Sequence, residues 1–147
     1  MFKYILCDDI PEIISKLLGV AIQLYGNEIA FWFYPECTQQ NTYNGEMSLL
    51  NGFSVPIEKV TLYDDEKYCE NIRYLLSNDT LEDIAGQTIN QIDLLDSISI
   101  YKDGAAEWFL ALVFHENVCI LKGLNTAEEN VLAEHGFIVS DSPPEGW

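Results

Sequence analysis

The hydrophobic pattern changes period twice within the first third of the chain. Phe2 to Cys7 reads as a buried strand. Asp9, Pro11 and Glu12 then supply an N-cap, a first-turn proline and a glutamate at the capping-box position. Ile13, Ile14, Leu17, Leu18, Ala21, Ile22, Leu24 and Tyr25 recur at spacings of three and four. The expectation is a helix to about Tyr25, stopped by Gly26 and Asn27. "EIAFWFY" reads as a second strand ended by Pro35, which makes the opening a βαβ-like segment.

Residues 36–54 form a polar stretch with two Asn-Gly steps, longer than ordinary connections and of the kind that often carries function. "IEKVTLY" predicts a third strand. From Asp64 the spacing turns helical, with Tyr68, Cys69, Ile72, Leu75 and Leu76 on one face. A further helix is expected from Asp79 or Thr80, carrying Leu81, Ile84, Ala85, Thr88, Ile89, Ile92 and Leu95 inward and weakened by Gly86.

The last third reads as an antiparallel meander, with "SISIY", "EWFLALVF" and "VCILKGL" separated by "KDGA" and "HEN". "EWFLALVF" is apolar at both parities, as in a central strand covered on both faces. Thr126 and Glu129 predict a capping box opening a helix with Val131 and Leu132 inward and Gly136 at its end; "FIV" would add a strand. With no repeats and no break in composition, residues 1–147 predict one α+β domain. Its parts are an N-terminal βαβ-like segment, central helices, and a C-terminal antiparallel β-meander followed by a helix.

Composition changes this picture in one respect. Of the 147 residues, 48% are hydrophobic, enough for a core, but 24 Asp and Glu face 7 Lys and Arg, a formal net charge of −17. Such a surface repels polyanions, which argues against nucleic acid and anionic membranes as partners and favours a basic protein. Cys7, Cys37, Cys69 and Cys119 are widely spaced without a C-x-x-C pair; Cys7, Cys69 and Cys119 lie in apolar patterns and read as core residues rather than zinc ligands. The apolar run at the start is too short for a signal peptide, and no stretch is long enough to span a membrane, so a reduced, cytoplasmic setting is expected.

"YILCDDIPEIISKLL" resembles the start of a response-regulator receiver domain over about the first 25 residues. That resemblance implies Mg²⁺ held by Asp8 and Asp9, with Asp64 as phosphoacceptor and Lys122 as the lysine of that family. The bare physical alternative is that Asp9 caps the helix and both acids suit its positive end. Nucleophilic catalysis has little to draw on. His115 lies at a turn, His135 lies in a helical last turn, and no P-loop, G-x-S-x-G, H-E-x-x-H or dinucleotide fingerprint occurs. A hydrolase using paired carboxylates is the remaining enzymatic alternative. The expectation is a binding protein, not an enzyme, without cofactor or metal.

Charge placement then nominates a surface. Asp64, Asp65, Glu66 and Glu70 on the first central helix, and Asp79, Glu82, Asp83, Asp93 and Asp96 on the next, avoid the apolar faces; Tyr68 and Tyr74 interleave them as aromatic anchors. A small, strongly acidic α+β domain without catalytic motifs resembles the bacterial immunity proteins of contact-dependent growth inhibition systems. The resemblance implies a cytoplasmic inhibitor that neutralises a basic toxin domain, such as a nuclease, by binding it.

Overall fold

The computed structural model describes residues 1–34, 59–64 and 69–145, with residues 33, 59–64 and 69–72 described as backbone only. Among them, seven strands form one sheet in the order β1-β7-β6-β5-β2-β4-β3. The strands are β1 (Phe2–Leu6), β2 (Gly26–Phe33), β3 (Lys59–Asp64), β4 (Cys69–Leu75), β5 (Leu95–Lys102), β6 (Leu110–Val113) and β7 (Val118–Lys122). Every neighbouring pair is antiparallel. The helices are α1 (Ile10–Gln23), α2 (Leu81–Asn90) and α3 (Thr126–Glu134), which makes the fold α+β.

Four antiparallel steps separate β1 from β2, so the two strands run in the same direction. The expected βαβ-like opening therefore exists in split form, with the meander β5-β6-β7 inserted between its strands. One face of the sheet meets the helices. Ile14, Leu17, Leu18 and Ala21 of α1, Ile84 and Ala85 of α2, and Leu132 of α3 bury against Ile5, Ile29, Phe31, Ile98, Ile100, Leu110, Leu112 and Leu121. These positions alternate along each strand, as the pleat requires.

Local chemistry sets the boundaries. Asp9 is the N-cap of α1 and accepts from the Glu12 amide at 3.4 Å. At the other end of α1, Tyr25 and not a glycine takes the left-handed conformation, at φ 66°. Gly26 is needed for close approach instead, since a Cβ there would lie 2.7 Å from Ile100 Cγ2 and 2.8 Å from the Ala21 carbonyl. The α3 cap sits one residue earlier than the sequence suggests. Asn125 accepts from the Glu128 amide at 2.8 Å, and the Glu128 carboxylate receives the Asn125 amide at 3.1 Å. Gly136 ends that helix at φ 86°.

Four further expectations are corrected. The helix expected to carry Ile92 and Leu95 inward ends at Asn90, so Asp93 lies in the turn after it and Leu95 and Asp96 open β5. The segment expected to turn helical from Asp64 is strand: β4 pairs β3 from Asp64↔Cys69 to Lys59↔Tyr74 and also pairs β2. Cys69, Ile72, Leu75 and Leu76 mimic a helical stripe, and long-range pairing overrides it. β1 is an edge strand with Phe2 and Leu6 exposed, not a buried one. "FIV" forms no strand; beyond it, Ser140 alone bridges Tyr4, through bonds of 2.9 and 2.8 Å. β6, expected to be central and covered on both faces, is so: Leu110, Ala111 and Leu112 are all buried.

Candidate functional site

The antiparallel sheet has two ends of different character. At the exit end β1, β2, β3 and β6 finish and β4, β5 and β7 begin; at the entry end the reverse holds. The exit end carries Asp8 and Asp9 after β1, Glu12 in the first turn of α1, Asp93 and Asp96 at the start of β5, and Glu116 in the turn between β6 and β7. Asp8, Asp9, Glu12, Asp93 and Glu116 are exposed, and Asp96 is half-buried. β1 and β5 are three strand positions apart, or about 14 Å at the usual spacing, so these acids form one patch.

The described cations sit elsewhere. Lys3 opens β1, Arg73 lies near the end of β4, and Lys102 and Lys122 close β5 and β7, all toward the entry end. There each is spent on a local acid. Lys3 meets Asp141 and, at 3.4 Å, Glu129; Lys102 meets Glu128 at 3.0 Å; Lys122 meets Glu107 at 2.7 Å; Arg73 meets Glu28 at 2.9 Å. Asp141, and then Glu129, raise the pKa of the Lys3 ammonium. Lys16, one turn into α1, is the nearest described cation to the exit end, and it lies over the Phe137 ring at 5.0 Å. The paired lysines and arginine thus concentrate at the entry end, although Asp79, Glu82 and Asp83 keep that end net negative as well.

At the centre of the exit end, His115 in the β6–β7 turn links the residue after β2 to the start of β5. Its Nδ1 lies 3.2 Å from the Tyr34 hydroxyl and 3.3 Å from Asp96 Oδ1, while Nε2 lies 3.4 Å from Glu116 Oε1. The two carboxylates flank opposite ring nitrogens, so they hold the imidazole between them and cannot close on one ion. Among the described residues no group of three His, Cys, Asp or Glu could hold a metal. Cys7 and Cys119 are buried free thiols; burial pushes Cys7 up to about 11 and Cys119 well above its ordinary value, which fits core residues and not nucleophiles.

The acids nominated from sequence do not gather on one face. Asp93 and Asp96 belong to the exit end. The backbones of Asp64 and Glu70 lie at the β3–β4 hairpin, also directed to that end. Asp79, Glu82 and Asp83 open α2 at the entry end, with Asp79 and Glu82 exposed. Asp65, Glu66 and Tyr68, and the loop 36–54, lie outside the described residues. Tyr74 is half-buried and packs edge-on against Phe31 at 5.8 Å, a core contact and not a presented anchor. Sequence reasoning missed Asp8, Asp9, Glu12 and Glu116 as members of one surface. Capping chemistry explained the first three locally, and only sheet order places them beside Asp93 and Asp96.

Two receiver-like implications fail on geometry. β1, which precedes Asp8 and Asp9, and β3, which ends in Asp64, are the two edges of the sheet, six spacings or about 29 Å apart. No Mg²⁺ ion, whose ligands lie near 2 Å, can be shared across that distance. Lys122 closes β7 at the opposite end from all three acids. No helix among the described residues is long and apolar enough to cross a membrane. Comparison with protein-family models, curated proteins and solved structures finds no match to this chain.

Proposed function

We propose that this chain is an immunity protein that binds a basic toxin domain, in particular a nuclease, in the cytoplasm and neutralises it without catalysis. The observation that carries the reading is the gathering of six acids at one end of the sheet, away from the paired lysines and arginine. Every ion pair of Lys3, Arg73, Lys102 and Lys122 lies toward the entry end, while Asp8, Asp9, Glu12, Asp93, Asp96 and Glu116 cluster at the other. With those cations held in local pairs at the other end, Lys16 is the one lysine among the described residues that lines a groove beside Asp8, Asp9 and Glu12. A nucleic-acid cleft lined with lysine and arginine is the electrostatic complement of the exit end, and carboxylates there stand in for phosphates. The field of a body with net charge −17 also steers a cationic partner toward it, with association rates rising toward about 10⁸ M⁻¹s⁻¹ at low salt.

The test pairs the chain with the C-terminal domain encoded by the reading frame immediately upstream. Expression of that domain should arrest growth, and co-expression of this chain should restore it. Asp8→Lys, Asp93→Lys and Glu116→Lys together should slow association at least about tenfold at low salt, while Asp103→Lys with Asp79→Lys should change it little. Absence of rescue, or equal loss from both variant sets, rejects the reading.

A further inference from the structure

Beside the acidic patch, the edge of the sheet opens into a groove of about 500 Å³. Its apolar lining includes Ile5, Leu6, Ile13, Phe137 and Ile138, and its polar rim is Asp8, Asp9, Glu12 and Lys16. Leu6 and Ile138 are 64% and 85% exposed, unusual for aliphatic side chains so close together. The groove has a definite origin. Segment 136–140 runs antiparallel to β1 and bridges it only at Tyr4↔Ser140. That register would set Ile138 across from Leu6, yet no strand pairing forms there, and the two chains part. Tyr4 directs its main-chain N–H and C=O outward to Ser140, whereas Cys7 donates inward to Asn117 at 2.8 Å. By strand alternation Leu6 directs its own N–H and C=O outward too, into the opening, where no backbone bond among the described residues meets them.

We propose that this groove receives an extended basic segment of a protein partner. The segment pairs with the Leu6 main chain, sets an apolar side chain between Leu6 and Ile138, and brings its lysines or arginines against Asp8, Asp9 and Glu12. The charge balance of the rim selects the occupant: three carboxylates face the Lys16 ammonium alone, so a cationic segment is attracted and an acidic one is repelled. Main-chain pairing supplies affinity and the alternating side chains supply selectivity, as in strand addition to an exposed sheet edge. This inference takes from the preceding section only that the partner is a basic protein.

The experiment is a titration of the isotopically labelled chain, followed by amide NMR, with the synthetic peptide Lys-Val-Lys-Leu-Lys, its glutamate counterpart Glu-Val-Glu-Leu-Glu, and spermidine. The basic peptide should move the amides of Leu6, Asp8 and Ile138 saturably, and the acidic peptide should not. Leu6→Lys with Ile138→Lys, both at exposed positions, should weaken binding at least about tenfold. Asp8→Asn with Glu12→Gln should weaken it while leaving the apolar walls intact. Shifts confined to Asp93, Asp96 and Glu116 would overturn the groove while leaving the acidic end as a binding surface. Failure of toxin rescue with groove shifts intact would reject the immunity reading alone. Equal shifts with spermidine would reassign the groove to a small organic cation, and a concentration-dependent dimer abolished by Leu6→Lys would reassign it to a second copy; either result overturns the proposal.

Discussion

Arg73 and Glu28, 45 residues apart in sequence, meet at 2.9 Å within the sheet, both almost fully removed from water. The guanidinium lies 3.5 Å from the centroid of the Tyr101 ring, and its Nη1 also donates to the Ala105 carbonyl at 2.6 Å. The second Glu28 oxygen accepts from the Gly104 amide at 3.2 Å, so the 103–105 turn is tied down over the pair. Among the described residues Arg73 Nε has no hydrogen-bond partner. This network joins β2, β4, β5 and the turn after β5 on the sheet face away from the helices.

Removing one member of that pair should be far worse than removing both. Arg73→Leu leaves the Glu28 carboxylate buried with one amide for company, an expected loss of about 3–5 kcal/mol. Arg73→Leu combined with Glu28→Leu removes the uncompensated charge and should recover a large part of it. Urea unfolding of the wild type, both single variants and the double variant closes the cycle. Additive losses would mean that the pair does not act as a unit.

Two glycines should respond to alanine with opposite signs. At Gly26 a methyl group meets the Ala21 carbonyl at 2.8 Å, and a backbone atom cannot step aside, so Gly26→Ala should cost about 1–3 kcal/mol. At Gly86, within α2, a Cβ has nothing within 4 Å, and Gly86→Ala should stabilise by about 0.5–1 kcal/mol through backbone entropy. Thermal denaturation of the two variants against wild type measures both.

What the sequence disclosed, and what it hid, follows from the range of the interactions. α1, α2 and α3 were legible because caps and 3.6-residue spacing are local signals. The meander was legible because short connections join its apolar runs. β4 was not. Its apolar residues fit a helical stripe, and of its two partner strands β3 is the hairpin neighbour at Asp64↔Cys69 while β2 is distant in sequence, at Glu28↔Leu75. The acidic end was hidden in another way. Asp9 explains itself as a cap, and nothing within ten residues links it to Asp93 or Glu116. The split order β1-β7-β6-β5-β2 makes them neighbours.

The buried thiols predict a chemical and a pH outcome. Cys7 and Cys119 should resist a thiol reagent at pH 8 in the folded protein and react fully in urea, with peptide mapping to locate the label. Burial raises the Cys7 pKa from 9.0 to about 11, so between these values the unfolded chain releases a proton that the folded chain retains. Stability is therefore fully present below about pH 9 and falls as pH rises toward 11, because the unfolded state binds fewer protons. Cys7→Ser with Cys119→Ala should flatten that alkaline decline in urea midpoints measured at successive pH values.

The acidic end should also register in the free protein's response to salt. Screening weakens attractions and repulsions alike, so the sign of the response reports which dominates. The pairs of Lys3, Lys102 and Lys122 are partly exposed, and exposed pairs contribute little to stability. Against them stands repulsion among the acids of a chain with net charge −17, crowded at one end of the sheet. The melting temperature should therefore rise with sodium chloride as the screening length shrinks from about 30 Å at 0.01 M to about 3 Å at 1 M. Asp93→Asn with Glu116→Gln should raise the low-salt melting temperature and reduce its further increase, whereas Asp103→Asn with Asp79→Asn should do so less. A melting temperature that falls with salt would mean that the local pairs outweigh the uncompensated acids. In that case the acidic end would carry no stability cost, and nothing about folding would distinguish it from ordinary surface.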